Sequence, residues 1–506
     1  MLTNTEYAQM MENLVISTTS SPPSFPIDNL LPTCGLDSGT IRVLDFSSPN
    51  RFMTIRDEEI IKLAKNGVNT KLIQHQLHHH GELRQRLHDL FTEPTKGKEY
   101  LLRMATDNTG NFLIQELLAS ENRTSSLFIR GLEEIASTLA LNRYGCRVLQ
   151  KLVQTLPPHS VEDLMNVRFA GIEFQLITDQ NGNHIVQYIV NNLQPQVYLK
   201  FIESLNKSVG LKQVVENKYG CRVLQCALEK VILICHQNNA QQRDATNKRN
   251  GQNTDRKHGR TRSEHTDEHG QTKHGRRRTD KPRTDSGSSV FCLSEFVRRS
   301  VKIWTSVSQN TDRKKFFVFS AAYEILHLMI STVLQHARSL AEQEFGNYIV
   351  QAILKDDFLA RQRSYIIKHH FMSNILELSQ GKYSSHVIEV AISHADEKSL
   401  EAIFFEVFGS YDTDKRGQNA LHIMLFHQYG NYVVQRMLEV AIQVRLGQRC
   451  GDQQWFDRIV TYAFSVGRQL SRYSSGKKVL ETIKMTLAHL APPLLQVQMP
   501  QPLPQY

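Results

Sequence analysis

The chain has 506 residues, 40% of them hydrophobic, which is ample for a packed core; its formal net charge of +10 and pI of about 9.1 favour an anionic partner. No stretch reaches 18 apolar residues and the first residues, MLTNTEYAQMMENL, lack a basic-then-apolar pattern, so neither a membrane span nor a secretory leader is expected. Seven Cys without a CxxC pair read as reduced thiols, and a cytoplasmic protein is expected.

Residues 1–50 are rich in Ser, Thr and Pro, show no sustained periodicity and read as a disordered leader. A helical pattern begins near Asp57–Ala64. From there one short phrase recurs to the end of the chain. Its first copy is degenerate, Thr70-Lys71-Leu72-Ile73-Gln74. The second is Asn111-Phe112-Leu113-Ile114-Gln115, and the third Cys146-Arg147-Val148-Leu149-Gln150. The fourth is Asn183-His184-Ile185-Val186-Gln187, and the fifth Cys221-Arg222-Val223-Leu224-Gln225. The sixth is Asn347-Tyr348-Ile349-Val350-Gln351, the seventh Ser385-His386-Val387-Ile388-Glu389, and the eighth Asn431-Tyr432-Val433-Val434-Gln435. A worn ninth copy ends in Lys477-Lys478-Val479-Leu480-Glu481.

With one exception, the final Gln or Glu residues are 35 to 46 residues apart, a period that suits a repeat of two or three helices. Strand-like alternation is scarce, and amphipathic runs such as Tyr323–Leu340 separate the copies, so an all-α solenoid is expected. The exception is the 126-residue interval between Gln225 and Gln351. Its excess, roughly residues 236–315, has almost no aliphatic side chains in its middle and cannot build a core. It holds 13 Lys and Arg against 7 Asp and Glu between Gln237 and Val290, so about six of the ten net charges lie there. It reads either as a basic arm for phosphates or as a solvated disordered insert. The Pro-rich tail 491–506 is expected to be unstructured.

In helical geometry the first and fifth residues of each phrase lie above one another, with the second rotated by one step. In the sixth copy Ile349, Val350, Ile353 and Leu354 fall on the opposite arc. The helix would bury that arc and present two polar side chains and a ring outward, a surface suited to stacking and hydrogen-bonding a flat nucleobase.

The phrases YGCRVLQ, NGNHIVQ, YGNYVVQ and YSSHVIE closely resemble the RNA-binding repeats of the Pumilio, or PUF, family, over about Asp57 to Leu490. The resemblance implies a crescent-shaped α-solenoid of eight three-helix repeats at 51–490, interrupted by the 236–315 insert and capped by the ninth copy. It implies single-stranded RNA running antiparallel to the repeats, one base to each. Two side chains per repeat would read the base edge: Thr70 and Gln74, Asn111 and Gln115, Cys146 and Gln150, Asn183 and Gln187. The later repeats would use Cys221 and Gln225, Asn347 and Gln351, Ser385 and Glu389, Asn431 and Gln435. The stackers would be Lys71, Phe112, Arg147, His184, Arg222, Tyr348, His386 and Tyr432.

In the family, Asn with Gln reads uracil, Cys or Ser with Gln reads adenine, and Ser with Glu reads guanine. Carried onto this chain, that code gives 5′-UGUAUAUA-3′, or UGUANAUA where the fourth repeat is permissive. Thr70 and Lys71 depart from the family pattern, so the first repeat would favour adenine only weakly. The resemblance further implies a monomer on the RNA that acts on mRNA 3′ untranslated regions. It would repress translation or promote decay by recruiting a deadenylase complex or a translational co-repressor. Tyr411, in the stretch Phe408–Gly417, would be a partner contact.

No cofactor is expected. The spacing of His75, His78, His79 and His80 could hold part of a metal site, but nothing nearby completes four ligands, and a polar helix end is expected instead. HExxH, GxSxG and GxxxxGK[ST] are all missing, and no enzyme is expected. The competing readings are a protein-binding α-solenoid scaffold, which apolar or acidic readers would favour, and a nucleolar ribosome-assembly relative, in which the regular triads tend to be lost.

Overall fold

The computed structural model describes residues 54–120, 126–258, 310–409 and 419–490, all within one compact unit, Phe46–Tyr506. Every regular element among them is helical. The leader, residues 259–309 of the insert, the stretch 410–418 with Tyr411, and the tail lie outside the described residues.

Each copy of the phrase sits on its own helix. These are α1 (Gly67–His79), α2 (Gly110–Ala119), α3 (Gly145–Thr155), α4 (Gly182–Asn192) and α5 (Lys218–His258). They are followed by α6 (Gly346–Lys355), α7 (Ser384–His394), α8 (Gly430–Arg445) and α9 (Ser474–Leu490). Each packs on the next in chain order, which makes a one-dimensional row. The chain is an all-α solenoid, as expected.

The sequence sets the faces of the row helices. On α7, Val387, Ile388, Ala391 and Ile392 are fully buried, at spacings that line one side of a helix. The other row helices repeat this stripe, as with Ile349, Val350, Ile353 and Leu354 on α6. Truncating one such aliphatic to Ala typically costs about 2–5 kcal/mol.

Shorter helices back the row. In the seventh repeat, Ala360–Ile366 runs into a π-helical turn, Ile367–Phe371, and then Ile375–Gln380 leads into α7. The fourth repeat follows the same plan through Leu164–Arg168 and Glu173–Thr178. The link between the outer helices needs a left-handed residue: Gly171 there has φ 82°, and Ser373, at the same place in the seventh repeat, has φ 67°. Ser373 is held by Glu406, whose carboxylate accepts from the N–H groups of Ser373 at 2.7 Å and Ile375 at 2.8 Å.

Two features differ from expectation. The sixth repeat joins its outer helices into one 32-residue helix, Asn310–Ala341. Within its stretch Phe317–Ala341 an 18-residue window has a mean hydropathy of 1.6, and by length and composition alone the stretch could cross a membrane. Ile325, Leu326, Ile330, Val333 and Leu340 on it are buried, and the helix packs on α5, α6 and Leu199–Ser208, so the solenoid core accounts for its apolar character. Second, α5 continues to His258, past the expected start of the insert at 236. Gln, Arg, Lys and Ala in this stretch are good helix formers even though they cannot supply a core.

Candidate functional site

The row helices begin with a recurring cap. Four residues before the first reader of a repeat stands Asn66, Asp107, Asn142, Asp179 or Asn217. The side-chain oxygen of each accepts two backbone N–H groups at the helix start, for example from Asn181 and Gly182 to Asp179, both at 2.8 Å. In the eighth repeat His427 takes this role, its Nδ1 accepting from Tyr429 at 3.2 Å and Gly430 at 3.3 Å. Burial holds the His427 pKa below the ordinary imidazole value, which keeps that nitrogen a free acceptor. Removing an N-cap of this kind typically costs about 1 kcal/mol. Sequence reasoning missed these residues, although D-x-x-G-N and N-x-x-G-C are visible ahead of the phrases.

A second local constraint brings the row helix close to its predecessor. A Cβ on Gly182 would stand 2.5 Å from the Leu176 carbonyl oxygen, so only glycine fits there. In the seventh repeat Ser384 holds this place and uses the proximity, its hydroxyl donating to the Leu378 carbonyl at 2.6 Å.

With cap and packing fixed, the three residue classes of the phrase separate by exposure. All eight expected stackers are exposed, Phe112 at 55%, Tyr348 at 53% and Tyr432 at 43%. They neighbour one another along the row. The His184 pKa is lowered first by burial and then by the charges of Arg147 and Arg222, the stackers of the repeats on either side. The second readers, Gln74, Gln115, Gln150, Gln187, Gln225, Gln351, Glu389 and Gln435, are half-buried.

The first readers depart from the outward display expected of them. Thr70, Asn111, Cys146, Asn183, Cys221, Asn347, Ser385 and Asn431 are all 1–5% exposed. They lie on the shoulder between the open face and the neighbouring helix, where polar atoms need internal partners. Each Asn uses both amide hydrogens on backbone carbonyls at the helix start: Asn111 Nδ2 donates to Asp107 O at 2.8 Å and Asn108 O at 3.0 Å. Its Oδ1 must then face the second reader. Gln115, Gln187, Gln351 and Gln435 each donate Nε2–H to that oxygen, at 2.9, 2.6, 2.8 and 3.0 Å. The Asn thus fixes which end of the Gln amide points where, with Oε1 left for a ligand; Gln435 Nε2 also donates to the Asn431 carbonyl at 3.3 Å.

The repeats with Cys lack that anchor. Burial pushes the Cys221 thiol up to about 12 and also raises that of Cys146, so both remain neutral thiols. Cys221 Sγ donates to the Phe345 carbonyl at 3.1 Å, a contact that bridges the insert. Gln150 and Gln225 turn elsewhere, to the His184 carbonyl at 3.5 Å and the Glu229 carboxylate at 3.1 Å. In the first repeat the Thr70 hydroxyl donates to Ala64 O, so Thr70 offers a ligand no free proton, and Gln74 donates to the Phe112 carbonyl at 3.1 Å.

The seventh repeat is the only one of the eight whose second reader is a carboxylate. His386 Nδ1 stands 3.3 Å from Glu389 Oε1, off the line of a good hydrogen bond, and this buried oxygen has no aligned donor. The contact with the carboxylate raises the His386 pKa, against the opposing effect of burial. The site therefore pairs a half-buried carboxylate with an exposed ring, a charged acceptor found in this repeat alone of the eight.

The geometry agrees with what the chain is similar to. The profile of the Pumilio-family RNA binding repeat matches residues 136–167, 174–197, 215–231, 374–408 and 426–443. Fem-3 mRNA-binding factor 2 of Caenorhabditis elegans is 26% identical over 498 residues, covering 90% of this chain and 63% of that protein. Fem-3 mRNA-binding factor 1 of the same organism is 26% identical over 502 residues, covering 92% and 65%. The chain thus spans less than two-thirds of the length of these relatives. The crystal structure of PUF-6 in complex with 5BE13 RNA superposes with a TM-score of 0.62 at 21% identity, over 87% of this chain and 100% of that one, and so shares the fold.

Proposed function

We propose, from the premise that this chain belongs to the Pumilio family of RNA-binding repeat proteins, that it binds single-stranded mRNA at UGUANAUA elements, one base to each repeat. Repeats of this family bind RNA and are not enzymes. The observation that carries the reading is the difference in second-reader environment along one register: an amide bonded to the first-reader Asn in repeats two, four, six and eight, an amide bonded elsewhere beside Cys in three and five, and a carboxylate in seven.

Each environment suits a different base edge. A pinned amide offers an acceptor and a donor in fixed order, which complements the N3–H and an adjacent carbonyl of uracil. An amide free to turn can reverse that order for adenine, accepting from N6–H₂ and donating to N1. A carboxylate accepts from guanine N1–H and N2–H₂ together. The exposed rings and guanidinium groups between them supply the stacking faces.

Regulation is part of the proposal. The protein acts as an adaptor in the cytoplasm on mRNA 3′ untranslated regions, and recruits a deadenylase complex or a translational co-repressor. Tyr411 is the proposed contact for such a partner, and Tyr411→Ala is expected to weaken the partner while RNA affinity stays within twofold. Loss of RNA binding in that variant would remove Tyr411 from this role.

Selection from a random RNA pool by the purified chain tests the base code. Enrichment of UGUANAUA is expected, and a pool without a common element would leave the solenoid as a protein-binding scaffold.

A further inference from the structure

The fifth repeat turns its second reader the opposite way from the repeats that carry Asn. On α5, Cys221, Gln225 and Glu229 follow one another four residues apart, so they line one face with Gln225 in the middle. Gln225 Nε2 donates to Glu229 Oε1 at 3.1 Å, one turn towards the C-terminal end of the helix. In repeats two, four, six and eight the Nε2 of the second reader donates to Asn Oδ1, one turn towards the N-terminal end. The two ends of a carboxamide lie on opposite sides of its carbon, so donor and acceptor have changed places in repeat five.

Local chemistry produces the reversal. Cys221 gives its S–H to the Phe345 carbonyl, and its sulfur is a weak acceptor, so the first-reader place offers Gln225 little. Glu229 offers a charged acceptor instead, and bonds to an ionised acceptor are the stronger ones. Repeat eight supplies the contrast. Glu439 stands at the same place on α8, but Arg436 takes it, and Gln435 turns to Asn431. The counterpart of Arg436 in repeat five is Cys226, whose thiol is pushed up by burial and stays neutral, which leaves Glu229 to Gln225. In repeat six the same place holds Lys355, a donor, in agreement with the orientation that Asn347 imposes on Gln351.

We propose that Glu229 is a positioning residue for base recognition: it holds the Gln225 amide in the orientation that reads adenine, and so sets the base choice of repeat five without touching the base. Uracil presents the O4 acceptor beside the N3–H donor, whereas adenine presents the N6–H₂ donor beside the N1 acceptor. An amide turned one way complements the first pair, and turned the other way the second. The proposal rests on the reading above, in which repeat five takes the fourth base from the 5′ end.

The test is equilibrium competition at one salt concentration on the full chain, Glu229→Ala and Glu229→Lys. The RNAs are UGUAUAUA, UGUUUAUA with the fourth base changed, and UGUAUUUA with the sixth base changed. The parent chain is expected to prefer UGUAUAUA over UGUUUAUA. That preference should fall at least about threefold in Glu229→Ala, which loses one amide bond to a charged acceptor. It should fall further in Glu229→Lys, whose ammonium would hold Gln225 Oε1 in place of Nε2. Both substitutions also ease repulsion of the phosphates, a change shared by all three RNAs that cancels in the ratio. The preference at the sixth base, assigned to Cys146 and Gln150, should stay within about twofold, which also reports that the variants are folded. The proposal is overturned by a smaller fall in Glu229→Ala, by a Lys variant that keeps more adenine preference than the Ala variant, or by equal losses at the fourth and sixth bases. In each of these outcomes a parent preference for adenine leaves the base code standing. A parent chain that binds UGUUUAUA as well as UGUAUAUA would refute the base code at repeat five and this proposal together.

Discussion

Changing UGU to ACA at the 5′ end of the octamer is expected to weaken binding at least 100-fold, as measured by equilibrium competition at fixed salt. Those three bases fall to repeats eight, seven and six. In repeats eight and six the Gln435 and Gln351 amides are held by Asn431 and Asn347 at 3.0 and 2.8 Å, and the Asn amides are themselves tied to backbone carbonyls. Turning the Gln amide for adenine would break its bond to Asn Oδ1 and leave that buried oxygen without a donor. In repeat seven, cytosine would present an N4 donor next to the lone pair of N3, and that lone pair would face the Glu389 carboxylate. Each lost fit typically costs about 1–3 kcal/mol, so even three losses at the low end exceed a factor of 100. Equal binding to the two RNAs would show that the environments of Gln435, Glu389 and Gln351 do not discriminate bases.

Most of the row was legible in the sequence because its information is local. Val387, Ile388, Ala391 and Ile392 announce a helix with one apolar side, and His386, on the opposite side, must face outward. What escaped sequence reading depends on contacts across repeats or on backbone polar groups. The burial of Asn111 follows from carbonyls at Asp107 and Asn108 that only a formed helix start brings together. The Cys221 bond to Phe345 joins residues 124 positions apart, across an insert that no local pattern could bridge. The extension of α5 to His258 was hidden for a different reason: a segment unable to build a core was read as unable to form a helix, although helix propensity and core-forming capacity are separate properties. The caps were accessible. Asp179, three residues before Gly182 and four before Asn183, carries a capping signal that a search for readers alone passes over.

Glu389→Gln is expected to move the preferred second base from guanine to adenine, so that UAUAUAUA binds better than UGUAUAUA. In the parent chain Glu389 is a half-buried carboxylate whose Oε1 stands 3.3 Å from His386 Nδ1, so guanine N1–H and N2–H₂ would meet a charged acceptor, and the negative charge strengthens both bonds. A glutamine must place an NH₂ against one of those donors, so it satisfies guanine less well. Against adenine the sign reverses: the carboxylate repels the N1 lone pair, whereas an amide donates to N1 and accepts from N6–H₂. Ser385 leaves the new amide unpinned, because a hydroxyl on so short a side chain does not reach it as Asn Oδ1 reaches Gln351. The substituted repeat then resembles the Cys–Gln repeats, whose amides are bonded to groups other than the first reader. His386 loses its carboxylate neighbour, and with it the main cause of its raised pKa, so its charge near neutral pH should fall while the ring stays available to stack. The expected swing between the two RNAs is about 1–3 kcal/mol, read as a ratio of dissociation constants at one salt concentration. Preferences at the other seven positions should hold, since each second reader sits in its own repeat. A variant that weakens on every RNA and still prefers guanine would show that Glu389 supports the fold of α7 and does not read the base.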